Sequence, residues 1–222
     1  MAQFNTAKNI IVGAAPLYVS TYDSTDAVNY KENLLDRPTG GISFVSGDSA
    51  RKTLDASSAV RNVGYTNNGL QITYNPTYDA VTVDQLLDAA KLFKSAMEVM
   101  IATEMSEGTL ENILTVFGQK SSTLNDGTLG LESGALGAAP TERQLFAVGN
   151  APTVTSGGTD VYSERVYYAR RVLSVQQSQF TLARNTPTTF PVTFRLLPDA
   201  NYAGAEYGKI IDRTSSSAWV LA

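Results

Sequence analysis

The strongest constraint on the fold is a pair of segments, 70–78 and 96–105, in which apolar and polar residues alternate. In a strand, successive side chains point to opposite faces, so this period of two predicts two strands, each with one side toward a core and one toward water. The apolar positions are Leu70, Ile72, Tyr74, Tyr78, Met97, Val99, Ile101 and Met105.

A short amphipathic helix is predicted directly after the second segment. Leu110, Ile113, Leu114 and Phe117 recur at helical spacing. Ser106 is a candidate N-cap, and Gly118 is placed to end the helix because glycine adopts the left-handed conformation that follows many helices. The unit therefore reads strand, connection, strand, helix.

The rest of the chain carries further strand signals separated by turn-forming residues. The predicted fold is mainly β: two packed antiparallel sheets, as a sandwich or partly closed barrel, flanked by one α-helix in a single domain, 1–222. A long loop or arm is expected at 21–58, and a Gly/Ser-rich loop at 119–140, where Asp126-Gly127 favours a type I′ turn. The sequence leaves open whether 82–94 is helical or a wide hairpin loop.

Composition excludes several classes of function. The chain has no cysteine and no histidine, which removes disulfides, Ser-His-Asp and Cys-His chemistry, and the commonest zinc ligands. The net charge is -4 and basic residues are not clustered, which argues against tight binding to DNA phosphates. The apolar run at 10–19 is too short to span a bilayer, so no membrane insertion is expected. No catalytic, cofactor-binding or metal-binding residues are predicted, and the protein is not expected to be an enzyme.

An ordered set of short motifs resembles a known family. Val63-Gly64-Tyr65-Thr66 with Gly69-Leu70, then Val83-Asp84-Gln85, then the run from Met105 to Ile113, are similar to patterns that follow one another in the tail tube proteins of long-tailed bacteriophages. The stretches 165–175 and 191–199 are similar to the closing strands of that family.

The resemblance implies a structural role in a virion. In that family six subunits close into a ring, and stacked rings form the tail tube, a passive conduit for genome delivery. It therefore implies a homohexamer, contacts with terminator, tape measure and baseplate proteins, transient passage of DNA, and assembly in the host cytoplasm. Loops such as 21–58 would reach a neighbouring subunit or ring.

Such a channel needs a wall that neither grips nor blocks DNA. Carboxylates, amides and hydroxyls repel phosphates weakly and offer no cation to hold them. The candidate lumen-lining residues are Gln71, Thr73, Asn75, Glu98, Glu104 and Thr193. Under the resemblance, Val83, Asp84 and Gln85 at the hairpin end are candidate subunit contacts.

Two alternatives stay open. One is another ring protein of the same fold, such as a tail terminator, a baseplate ring or a secretion-system tube. The other is a carbohydrate-binding β-sandwich, in which loop tyrosines would stack on sugars; the candidates are Tyr22, Tyr30, Tyr202 and Tyr207. A glycosidase would need two paired carboxylates, and Asp and Glu are scattered along this sequence.

Overall fold

The computed structural model of the chain describes residues 13, 15, 17–21, 61–85, 88–152, 154–156, 159–161, 163–175 and 178–214. These residues form twelve strands, one α-helix and a short 3-10 turn, so the predicted mainly-β class with a flanking helix is confirmed. The strands are β1 (Leu17–Thr21), β2 (Arg61–Asn62), β3 (Thr66–Val81), β4 (Lys91–Met105), β5 (Leu124–Asn125), β6 (Thr128–Leu129), β7 (Arg143–Asn150), β8 (Val154–Ser156), β9 (Thr159–Val161), β10 (Ser163–Ser174), β11 (Phe190–Leu196) and β12 (Gly208–Thr214). The helix is α1 (Leu110–Val116), and the 3-10 turn is Ser121–Thr123.

Eight strands form one antiparallel sheet in the order β2-β1-β7-β10-β11-β4-β3, with β12 also paired to β10. Along β10, residues 163–169 pair with β12, and residues 172–174 pair with β11. The register shifts between Ala169 and Val172, where a bulge bends the strand. β10 therefore divides the sheet into a first wing (β2, β1, β7, β12) and a second wing (β11, β4, β3).

Both wings and α1 contribute to one hydrophobic core, which gives the sandwich-like arrangement. β11 alternates buried and accessible residues, as a strand with one covered face must, whereas most of β7 is buried on both faces. The core includes Leu17, Val19, Val99, Ile101, Met105, Leu114, Leu145, Val172, Val192 and Phe194. The two wings take the place of the two expected packed sheets, and they are continuous through β10.

The N-cap of the helix lies three residues later than predicted. Thr109, not Ser106, is the N-cap, and its hydroxyl accepts a hydrogen bond from the backbone N–H of Asn112 at 3.3 Å. Gly118 ends the helix as predicted: its φ is 66°, and its N–H donates to the Thr115 carbonyl. With the Gln119 N–H donating to Leu114, this is a Schellman cap.

A buried polar network attaches α1 to β2. The Arg61 guanidinium donates to Asn112 Oδ1 at 2.6 Å and to Thr115 Oγ1 at 3.3 Å. The Asn112 amide donates in turn to the carbonyls of Val63 and Glu107. All three side chains are buried, so each hydrogen bond replaces one that water would otherwise make.

The β3–β4 hairpin is longer than predicted. Pairing continues to Val81 and Lys91, and the Ala90 N–H donates to the Val81 carbonyl. Of the two alternatives for 82–94, the structure has the hairpin loop, at 82–90, with residues 86 and 87 outside the described residues.

The loop at 119–140 contains the predicted tight turn. Asn125 pairs with Thr128, and the two residues between them, Asp126 and Gly127, have φ values of 44° and 75°. Positive φ at both central positions is the requirement of a type I′ turn. The predicted arm at 21–58 lies outside the described residues, except that residue 21 ends β1.

Candidate assembly surface

The six candidate lumen residues lie on one face of the second wing. Asn75 pairs directly with Glu98, while Ala102 pairs with Gln71 on one side and Thr193 on the other. Directly paired residues share a sheet face, as do residues two positions apart, so Thr73 and Glu104 belong to the same set. We call these six residues the polar face. Their common placement is a finding; their lining of a channel stays a prediction.

The polar face carries a cation that the lumen hypothesis did not include. Arg195 pairs with Met100 and so lies on the same side as Glu98, and its Nε is 3.8 Å from Glu98 Oε1. Both side chains are partly exposed, so this ion pair contributes little to stability. A wall without cations is therefore incorrect for this face, although the Arg195 charge is offset by a neighbouring carboxylate.

Glu104 contacts the adjacent strand. Its carboxylate accepts hydrogen bonds from the side-chain amides of Asn67 at 3.5 Å and Asn68 at 3.2 Å. Beside it, the Thr103 hydroxyl donates to the Gly69 carbonyl at 2.8 Å. These contacts stabilise an irregularity in β3, so Glu104 has a structural role in addition to any role at a channel wall.

A shallow, open depression borders the polar face between Gly69, Ala102 and Pro191. Glu104 is the one carboxylate that lines it. Acid-base hydrolysis of a glycoside needs two carboxylates across the substrate, so this depression offers no such pair. Among the described residues, no group of three or more acidic side chains could hold a metal ion.

The candidate subunit contacts Val83, Asp84 and Gln85 lie in the loop that closes the β3–β4 hairpin. All three side chains are exposed. The structure thus places them at a projecting end, away from the hydrophobic core. A contact role for them remains a prediction.

The opposite side of the hairpin contradicts an expectation from the sequence. Tyr74 was expected to face the core, but it is 65% exposed, whereas Val99, its partner across the pair, is 7% exposed. The core covers β4 only from Met97 onward and stops short of most of β3, which is the last strand of the sheet among the described residues. The exposed large apolar residues on this side are Ile72, Tyr74, Tyr78 and Leu92, here called the apolar strip.

β3 also presents a long free edge. It has 16 residues and pairs with β4 along one side; among the described residues no strand pairs with the other. Unpaired backbone groups on such an edge are able to pair with another chain. Neither this edge nor the apolar strip could be recognised from sequence alternation, because alternation does not reveal where a sheet ends.

Three arginines, Arg61, Arg143 and Arg170, are buried. Arg170 lies over the Tyr202 ring, 3.4 Å from its centroid, and its Nε donates to the Ala205 carbonyl. Arg143 is 2% exposed and donates to the Gln119 carbonyl at 2.6 Å. Burial, and then the charge of Arg61, lower the pKa of Arg143 to about 10. These cations therefore belong to the interior and offer no basic surface to nucleic acid.

No family model matches the chain, and no curated protein sequence matches it. In the described part of the chain, no helix has both the length and the apolar character needed to cross a membrane.

Proposed function

We propose that this protein is a structural subunit that closes into hexameric rings, which stack into the tail tube of a bacteriophage virion and conduct its genome. The observation that carries the proposal is the placement of all six polar-face residues on one side of a wing whose last strand has a free edge. Repeating that wing around a circle would let a neighbouring subunit cover the free β3 edge and would orient the polar face toward a common axis.

The chemistry of the polar face supports a passive channel. Gln71, Thr73 and Asn75 are exposed and uncharged, and Glu98 is paired with Arg195. Amides and hydroxyls form no lasting contact with a moving phosphate backbone, whose affinity for proteins comes chiefly from Lys and Arg. DNA would pass such a wall without sequence-specific contacts.

The exposed hairpin supports self-association. A monomer that functions alone rarely leaves several large apolar side chains together in water. The apolar strip and the free β3 edge lie on the same hairpin, so a neighbouring subunit could cover both. Contacts with terminator, tape measure and baseplate proteins, and assembly in the host cytoplasm, follow from the same proposal.

The carbohydrate-binding alternative has less support. Tyr202 is half-buried beneath Arg170, and Tyr207 is half-buried against the core, so neither ring is presented freely to a sugar. The other two candidates, Tyr22 and Tyr30, lie outside the described residues.

Negative-stain electron microscopy of the purified protein, with sedimentation to establish mass, tests the proposal. We expect six-fold rings and stacked tubes of uniform diameter. Single rings that never stack would favour a terminator or another ring protein of this fold. A monomer at millimolar concentration would refute self-assembly, and glycan binding by that monomer would support the carbohydrate-binding module.

A further inference from the structure

The apolar strip is a continuation of the hydrophobic core that the described residues leave uncovered. Ile72 pairs with Ile101, and Tyr74 pairs with Val99; both partners on β4 are buried. Farther out, Tyr78 pairs with Lys94, and Ala80 pairs with Leu92. The strip therefore runs from the covered core to the projecting end of the hairpin, and Lys94 is the one charge on this side of the described β3–β4 pair.

A second exposed apolar feature lies on the loop at 130–138, here called the leucine loop. Leu131 is 70% exposed, and Leu136 is 108% exposed, more than in an extended reference peptide. The loop is held in shape at both ends: Gln119 exchanges two side-chain hydrogen bonds with the Glu132 backbone, and the Ala138 N–H donates to the Ala135 carbonyl. Leu136 thus stands at the corner of a formed turn.

The charges of the two features are opposite. From 124 to 138 the charged residues are Asp126 and Glu132, both acidic and exposed. Lys94, within the apolar strip, is exposed and basic, and its charge also acts on Glu206 of the same chain, whose pKa is lowered first by the backbone hydrogen bonds of Gly204 and Glu206 and then by Lys94. The apolar strip therefore carries one cation, and the leucine loop and its flank carry two carboxylates. Charge complementarity of this kind orients a docking contact.

We propose that the leucine loop of one copy of this chain docks on the apolar strip of a second copy, with Leu136 against Tyr78 and Glu132 near Lys94. The inference rests on the proposed self-assembly and specifies which two surfaces meet. Because the strip and the loop are different parts of one chain, the contact is heterologous, and each copy can use both halves. Repetition then builds a ring or a filament instead of a closed pair.

The absence of cysteine allows a direct test by disulfide trapping. The variants Tyr78→Cys and Leu136→Cys, prepared separately and mixed under mild oxidation, should form a mixed dimer, because a disulfide requires Cα atoms within about 7 Å. The control mixes Tyr78→Cys with Leu182→Cys, which alters another exposed leucine. All three positions are exposed, and circular dichroism with thermal unfolding establishes that each variant folds.

Charge exchange provides a second test in the cysteine-free protein. Lys94→Glu alone and Glu132→Lys alone should each weaken association by up to about fivefold, the range of an exposed ion pair. The double exchange should recover most of that loss. Asp126→Asn is the control: it removes the other carboxylate of the loop but keeps a residue that tolerates the positive φ at this position, and it should have a smaller effect.

The outcomes separate this inference from the proposed function. A mixed Tyr78-Leu136 dimer in excess of the control supports docking of the loop on the strip. Rings or tubes that assemble without that cross-link, or with a dominant cross-link between two copies of Tyr78→Cys, overturn the inference and leave the proposed function intact. Failure of the unmodified protein to associate at all overturns both.

Discussion

Glu104 on β4 accepts a hydrogen bond from the side-chain amide of Asn68 on β3, at 3.2 Å. Asn68 has a φ of 64°, a conformation that asparagine tolerates better than most residues. It begins a stretch, 68–70, that lies opposite Thr103 alone, because Asn67 pairs with Glu104 and Gln71 with Ala102. The carboxylate therefore stabilises a bulge that sets the register of the hairpin from Gln71 to Thr77, where a second shift follows.

Replacement of Glu104 should weaken this bulge. We expect Glu104→Ala to lower the free energy of unfolding by about 0.5–1.5 kcal/mol, the usual contribution of hydrogen bonds of this kind. The matched control is Glu98→Ala on the same face, which loses only the exposed pair with Arg195 and should cost less. Urea denaturation measures both; equal losses would show that the Asn68 contact contributes nothing specific.

The alternation in 96–105 predicted both its faces and which face is buried, whereas the alternation in 70–78 predicted the faces but not the exposure of its apolar side. Met97, Val99, Ile101 and Met105 are turned toward the core, with Glu98, Ala102 and Glu104 on the other side. Tyr74 and Tyr78 follow the same rule locally but lie on a last strand, and a two-residue period cannot show which strand is last. Strand order depends on pairings between distant segments, such as β4 with β11.

Among the loops and caps, too, some features could be predicted from the sequence and others could not. The Asp126-Gly127 turn was predictable because its backbone requirement belongs to those two residues. The helix cap was not, since Ser106 and Thr109 are both suitable and the choice depends on where β4 ends at Met105. The shared face of the candidate lumen residues could be predicted from the sequence. The contact of Glu104 with Asn68 could not, because it depends on a bulge that no local sequence motif predicts.

Gly208 allows β12 to approach β10 closely. A Cβ atom at this position would lie 1.9 Å from the Tyr168 carbonyl oxygen, and the φ of Gly208 is 141°. Backbone atoms cannot yield as a flexible side chain can, so Gly208→Ala should destabilise the protein by at least about 2 kcal/mol. Thermal or urea unfolding measures the loss.

Gly204 provides the matched control for that substitution. Its φ is also positive, at 81°, but a Cβ there would meet nothing within 4 Å. Gly204→Ala should therefore show only the conformational cost of a left-handed residue, about 1 kcal/mol. Equal effects at the two positions would contradict the close approach of β12 to Tyr168.

Arg143 should make stability depend on pH in the alkaline range. Burial lowers its pKa to about 10 in the folded protein, below the pKa of an arginine in the unfolded chain, so above about pH 10 the unfolded chain binds more protons. The free energy of unfolding, relative to Arg143→Met, should therefore rise as pH increases above about 10. Below that pH the arginine is charged in both states, and the difference should be flat.

Urea denaturation between pH 8 and about 11 tests this linkage. Arg184→Met, at an exposed position, is the control and should show no such rise relative to the unmodified protein. A flat difference for Arg143→Met over the whole range would show that the buried guanidinium keeps its proton as readily as in water.

The direction of the polar face in an assembly can be tested with added lysines. Gln71→Lys with Thr73→Lys places two cations on exposed positions of one strand face and should change the free energy of unfolding by less than about 0.5 kcal/mol. If that face lines a channel, tubes of the variant should retain short DNA that tubes of the unmodified protein release. Retention should fall steeply with salt, because phosphate binding releases counterions.

Nuclease protection distinguishes an inner wall from an outer surface. DNA held by lysines inside a tube should resist a nuclease that is too large to enter the tube. Tubes of Thr181→Lys, which places a lysine on an exposed loop, provide the comparison. Because the polar face and the apolar strip lie on opposite sides of the second wing, turning the polar face outward would place the apolar strip along the channel. Rapid digestion of DNA bound to the Gln71→Lys, Thr73→Lys variant would therefore show that the polar face lies on the outside of the tube. That result would contradict the proposed orientation of the wing, even if the rings were six-fold.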